Sequence, residues 1–220
     1  METMNNLSKA ILVGSDYNNG LNGKKILMYS YHDPEYIEDS SANNPAYDTY
    51  FKKFAERIRS FFNFNSTADL INRIAYVNLC NANNIIKSEI IDLITDLKPD
   101  IVIFCGVNLR DDIFKPYLII EDTDLAEITI RIESNESLSN EVEKYIYKKE
   151  IKGRSYIILN TYSLAYKSEN NIFDGNKLSL FMSICLDNNI YEKIIRNEPI
   201  KIKAKETGDD KPFNLTLLSE

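Results

Sequence analysis

Apolar residues fall along this chain in two rhythms. Ile26–Tyr29, Ile74–Leu79 and Ile101–Gly106 are short, nearly unbroken apolar runs bounded by turn-forming residues. Runs of that length and flanking read as buried strands. Between them the apolar positions recur every three or four residues. Phe51, Phe54, Ile58 and Phe61 predict a helix from about Tyr47 to Phe62. Ile86, Ile90, Leu93, Ile94 and Leu97 predict another, stopped by Lys98-Pro99. Strand, helix, strand, helix, strand is the order of a parallel sheet with crossover helices. Ala10–Val13 adds a short strand before it, followed by the turn-rich GSDYNNGLNG.

Beyond Gly106 the pattern loosens. Thr129–Ile132 alternate as a strand, and Lys144–Lys149 and Tyr156–Leu159 flank Ile151-Lys152-Gly153, as in a hairpin or two adjacent sheet strands. Asn160-Thr161-Tyr162-Ser163 is a polar exit from the second of these. A last helix is expected from about Asn176 to Arg196, with Leu178, Phe181, Cys185, Tyr191, Ile194 and Ile195 on its inner face and Asp187-Asn188-Asn189 interrupting it. The tail from Lys201 reads as a polar turn before a final strand, Phe213–Leu218. The chain shows no internal repeat and no low-complexity linker. The expected architecture is α/β, a mainly parallel central sheet with helices on both faces, as a single domain over residues 1–220.

Composition narrows the classes. A charge of −7 argues against indiscriminate binding to nucleic acid, which needs clustered cations. Two local basic clusters remain: Lys52, Lys53, Arg57 and Arg59 on one helix, and Lys144, Lys148, Lys149, Lys152 and Arg154 around the hairpin. Taken singly, each reads as a solvated face. Cys80, Cys105 and Cys185 sit in apolar surroundings without metal-ligand spacing, so buried free thiols are expected. With a single histidine, neither a metal site nor a cofactor is expected. No apolar run could span a bilayer and the N-terminus has no signal-peptide pattern, so the expectation is a cytoplasmic protein with no membrane partner.

Polar residues gather where strands end: Tyr31 to Asp33, Asn78, Gly106 to Asn108, and Asn160 to Ser163. In open α/β sheets ligands bind outside those carboxyl ends. In this order and spacing the chain resembles the uracil-DNA glycosylase superfamily, above all its divergent bacterial and phage-type members. ILVGSDY is similar to their glycine-tyrosine segment, and KKILMYSYHDP to a strand ending in a small-residue turn. Asp33-Pro34 followed by Tyr36 is similar to the Asp-Pro-Tyr-His turn of other members. AYVN ending at Asn78 looks like the strand whose asparagine reads the base, and KPDIVIFCG like the one that ends in glycine. The resemblance covers roughly Ile11 to Ser163. It departs at the family's His-Pro-Ser loop, where this chain has Asn160-Thr161-Tyr162-Ser163, and in the spacing of the first motif.

The resemblance implies a three-layer α/β/α sandwich and excision of uracil or another altered base from DNA. The nucleotide would be swung out of the stack and its N-glycosidic bond hydrolysed. Asp33 would position the water and stabilise the charge that develops on the sugar, while His32 or Asn160 would donate to the departing base. Asn78, able to donate and accept at once, would pair with the base edge, and Tyr31 or Tyr36 would stack on it. Gly106, Thr161 and Ser163 complete the expected binding residues. Each position also has an ordinary reading: Asn78 as a turn cap, Asp33 before Pro34 as a turn opener, the tyrosines as packing in a tyrosine-rich chain. Two further functions fit the same fold. One is a catalytically inactive module that binds a nucleotide or a protein. The other is a flavodoxin-like hydrolase that uses Ser30 or Ser163 with His32.

Overall fold

Nine strands and five α-helices are seen in the computed structural model, which describes residues 11–30, 55, 59, 64–79, 87–105, 115–133, 145–161, 173–205 and 213–218. Six strands form one sheet. Four of them run parallel at its centre: β2 (Ile26–Ser30), β3 (Ile74–Asn78), β4 (Ile101–Cys105) and β7 (Arg154–Thr161). Each edge is antiparallel, with β1 (Ile11–Val13) beside β3 and β6 (Ile146–Ile151) beside β7. The spatial order is β1-β3-β2-β4-β7-β6. Every residue of β2, β3 and β4 is buried. That explains why these strands appear in the sequence as apolar runs rather than as alternation: a central parallel strand is covered on both faces.

The pleat divides the core into two. Ile26, Met28, Ile74, Tyr76, Ile101, Ile103, Ile157 and Leu159 point to one face, and Leu27, Tyr29, Ala75, Val77, Val102, Phe104 and Ile158 to the other. The second face is covered by α2 (Lys87–Leu97) through Ile90 and Ile94, and by Leu118 of α3 (Lys115–Leu118). Lys98 ends α2 in the left-handed region, and Pro99 cannot continue it. The first face is covered by α4 (Phe173–Leu186) and α5 (Asn188–Ile195), with Ala55 buried against it. Ala55 and Arg59 are both helical, in the middle of the stretch read as a helix.

The break within the C-terminal helix has a local cause. Asp187 is extended, and its Oδ1 accepts from the backbone N–H groups of Asn189 and Ile190, so it caps α5 instead of continuing α4. The hairpin is as expected. Lys152 and Gly153, both at positive φ, form its two-residue turn between Ile151 and Arg154.

Besides the short α3, two further elements fall outside the sequence reading. Thr67–Ile71 is a short helix, α1, whose N-cap Ser66 accepts from the Asp69 N–H. Ile200–Lys205 is a strand, β8, where a polar turn was expected. It joins β5 (Ile128–Glu133) in parallel and β9 (Asn214–Leu217) antiparallel to make a separate three-stranded sheet. Ile128, Ile130, Ile200, Ile202 and Ala204 turn the inner face of that sheet into the same core as α4 and α5. The outer layer on that face is therefore part helix and part sheet.

Candidate functional site at the carboxyl edge of the sheet

The register of the central strands aligns their last residues in a row. Ser30 is opposite Asn78 on one side and Cys105 on the other, and Cys105 is opposite Thr161. The chain leaves β2 in one direction to reach β3 and lies on its other side in β4, so the strand order reverses between β2 and β4. In open α/β sheets ligands bind beyond the carboxyl ends at such a reversal, which here falls at Ser30 and Cys105.

Polar burial concentrates at this edge. Among the described residues the buried polar side chains belong to Ser30, Asn78, Asn160 and Thr161, and all four stand at the carboxyl ends of parallel strands. Ser30, Asn78 and Thr161 share a pleat face with Tyr76, whose hydroxyl is hydrogen-bonded to the Ser30 hydroxyl. Asn160 precedes Thr161 and so turns to the opposite face, in register with Phe104, whose ring stacks on Tyr29. The two asparagines thus sit at one end of the sheet but on opposite sides of it.

Asn160 is 3 % exposed, its N–H donates to the Tyr145 carbonyl at 2.8 Å, and among the described residues its side-chain Oδ1 has no partner. A buried acceptor left alone costs about 1–3 kcal/mol. Such a group calls for a donor from a ligand or an ordered water. The sequence reading gave Asn160 a donor's role, whereas the atom without a partner is its acceptor oxygen.

The thiols are inert. Cys105, in the same row, and Cys185, in α4, are free and buried, and burial raises both thiols, that of Cys185 to about 12. Neither is a thiolate nucleophile near neutral pH. Ser30 is fully buried and engaged with Tyr76, which disfavours it as the nucleophile of a hydrolase. Tyr31, His32, Asp33, Tyr36, Gly106 and Ser163 lie outside the described residues, as do Cys80 and Lys144. Of the expected site, Asn78, Asn160 and Thr161 are seen, and they share one edge.

The basic hairpin is at the other end. Arg154 opens β7 and pairs with Asp100, which precedes β4, at 3.0 Å. Lys152 pairs with Asp92 at 2.9 Å, and Lys149 with Asp124 at 2.8 Å. A DNA partner leads one to expect the cations of this cluster or of the Tyr47–Phe62 helix beside the site; Lys149, Lys152 and Arg154 lie away from it, and Lys144 is outside the described residues. Among the described residues no group of histidine, cysteine and carboxylate side chains could hold a metal ion. Among the same residues no helix is long and apolar enough to cross a membrane.

Against known proteins, the sequence matches no protein-family model and no curated protein.

Proposed function

We propose that the carboxyl edge of the parallel sheet binds a nucleobase, and that the protein is a uracil-DNA glycosylase-type enzyme with that family's three-layer architecture. It would flip uracil or another altered base out of DNA and hydrolyse the N-glycosidic bond. The observation that carries this reading is the gathering of the buried polar side chains at the strand ends beside the point where the strand order reverses. A base is a flat, largely apolar ring with donors and acceptors at its rim. A mostly apolar crevice with a few fixed amides and hydroxyls suits it. Asn78 would pair with the base edge and Asn160 would meet a donor with its unpartnered oxygen. Asp33 would hold the water, His32 would donate to the departing base, and Tyr31 or Tyr36 would stack.

Incubation with an oligonucleotide containing one uracil should then leave abasic sites that break in alkali. Asp33→Asn should slow this by a factor of about a hundred or more, because the neutral amide can neither activate water nor stabilise the sugar cation. Asn78→Asp replaces a donor with an acceptor and should blur the distinction between uracil and cytosine. A folded protein that makes no abasic site on any altered base would end the enzyme reading.

The second reading is a binding module of the same fold. The ion-paired hairpin, at the opposite end of the sheet, favours it, since it gives the edge no help in gripping phosphates. Calorimetric binding of free uracil or a nucleoside, without turnover of DNA, is the result expected there.

A further inference from the structure

The three-stranded sheet has an outer face that the base-excision reading does not use. Along β8, Ile200, Ile202 and Ala204 are buried while Lys201, Lys203 and Lys205 alternate with them on the other side. The register sets Thr129 opposite Lys201 and Arg131 opposite Lys203 on β5, and Thr216 opposite Lys203 and Asn214 opposite Lys205 on β9. Six of these, all but the half-buried Lys203, are exposed. The register also sets Glu133 opposite Lys205 at the far end. A chain of net charge −7 therefore presents four cations on one small sheet face, of which Lys203 already has a partner.

These cations differ from those of the hairpin. Lys149, Lys152 and Arg154 are each matched by an aspartate. Among the described residues, Arg131, Lys201 and Lys205 enter no ion pair. Their positive charge is open to a partner.

We infer that the outer face of the β5-β8-β9 sheet is a docking surface for the phosphodiester backbone of single-stranded nucleic acid. Lys201 and Lys205, four residues apart on one strand, stand ~13 Å apart, about two phosphate steps along an extended single strand, with Arg131 between them on the neighbouring strand. Thr129, Thr216 and Asn214 flank that row with hydroxyl and amide groups of the kind that bond phosphate oxygens. Among the described residues the face carries no aromatic ring, so it offers bases nothing to stack on, and the contact is to the backbone without regard to sequence. Its large apolar side chain among the described residues is the half-buried Leu218, whose N–H donates to the Lys201 carbonyl, too little for an interfacial membrane contact to anchor on. The inference does not depend on whether the carboxyl edge excises a base.

The test is fluorescence anisotropy of labelled oligo-dT and oligo-U of about twenty nucleotides, titrated at salt from about 50 to 200 mM. Wild-type protein should bind at least one of them, with log K falling linearly against log salt. The variant Arg131→Gln/Lys201→Gln/Lys205→Gln should bind at least about tenfold more weakly at the lowest salt, with a slope smaller by about 2, as expected for three lost phosphate contacts. Lys201→Glu, a single exposed change, carries the same test if the triple variant does not fold by circular dichroism. Lys152→Gln, which removes a cation already matched by Asp92, should leave the slope unchanged. Absence of wild-type binding, an unchanged slope in the Gln variant, or an equal loss in Lys152→Gln would overturn the inference. So would equally tight binding of polyglutamate or of phosphatidylserine vesicles. The oligo-dT titration, whose bases are not uracil, reads this face, while abasic-site formation reads the carboxyl edge, so failure here and failure of excision are read separately.

Discussion

Tyr191 shows how single side chains set the pH range of this fold. Burial first, and then the negative charge of Asp100, push its hydroxyl up to about 12, while the Lys24 ammonium lies 3.8 Å from its ring centre. Burial pushes the phenols of Tyr17, Tyr29 and Tyr156 in the same direction. An acid raised in the folded state keeps its proton where the unfolded chain has lost it. Stability is therefore full below the unfolded value and falls as pH rises from about 10 towards 12. Urea unfolding at pH 9, 10 and 11 should show that decline, and Tyr191→Phe should flatten part of it; an identical slope would remove Tyr191 from the account. The candidate site was legible at the same scale only where a polar residue ends an apolar run, as Asn78 and Asn160 do. That Asn160 and Asn78 face opposite sides of the sheet was not, because it depends on whether the pairing aligns Asn160 or Thr161 with Cys105.

At the scale of elements, caps decide where helices begin. Ser66 accepts from Asp69 N–H at 3.1 Å, and Asp187 accepts from two N–H groups at 2.9 and 3.0 Å. Ser66→Ala and Asp187→Ala should each cost about 1 kcal/mol in chemical denaturation, with Asp187→Ala the larger because both donors lose their partner. Gly14 closes β1 against the backbone of Asn72, just after α1, and its N–H donates to the Ile74 carbonyl at 3.1 Å. A methyl group there would collide with the Asn72 carbonyl, so Gly14→Ala should cost more than either cap. The central strands and both helix stops are plain in the sequence, since burial on two faces and Lys98-Pro99 leave strong local marks. β8 is missed for a different reason. Ile200-Lys201-Ile202-Lys203-Ala204-Lys205 alternates as a half-buried strand should, but its partner β5 lies far back in the chain and the polar segment after it reads as turn throughout. Thr129–Ile132 is recognisable as a strand, yet nothing in its neighbourhood tells which sheet it joins.

For the molecule as a whole, one core serves both sheets. Ile26 and Met28 of the large sheet belong to the same apolar cluster as Ile130 and Ile202 of the small one. Ile202→Ala should therefore cost about 2–5 kcal/mol. It should shift the denaturation midpoint by the same amount whether followed by circular dichroism or by tyrosine fluorescence, which no tryptophan obscures. Two separate transitions, with only one of them shifted, would show that the sheets unfold apart. The strand order also bears on birth at the ribosome. β7 fills the place between β4 and β6, yet it is translated roughly fifty residues after β4, a delay of several seconds at ~5–20 residues per second. Throughout that delay β4 has one edge unpaired, and the face that α4 and α5 will cover waits longer still. The nascent chain thus exposes an open strand and bare isoleucines before it can close, which makes it a client for chaperones that hold growing polypeptides.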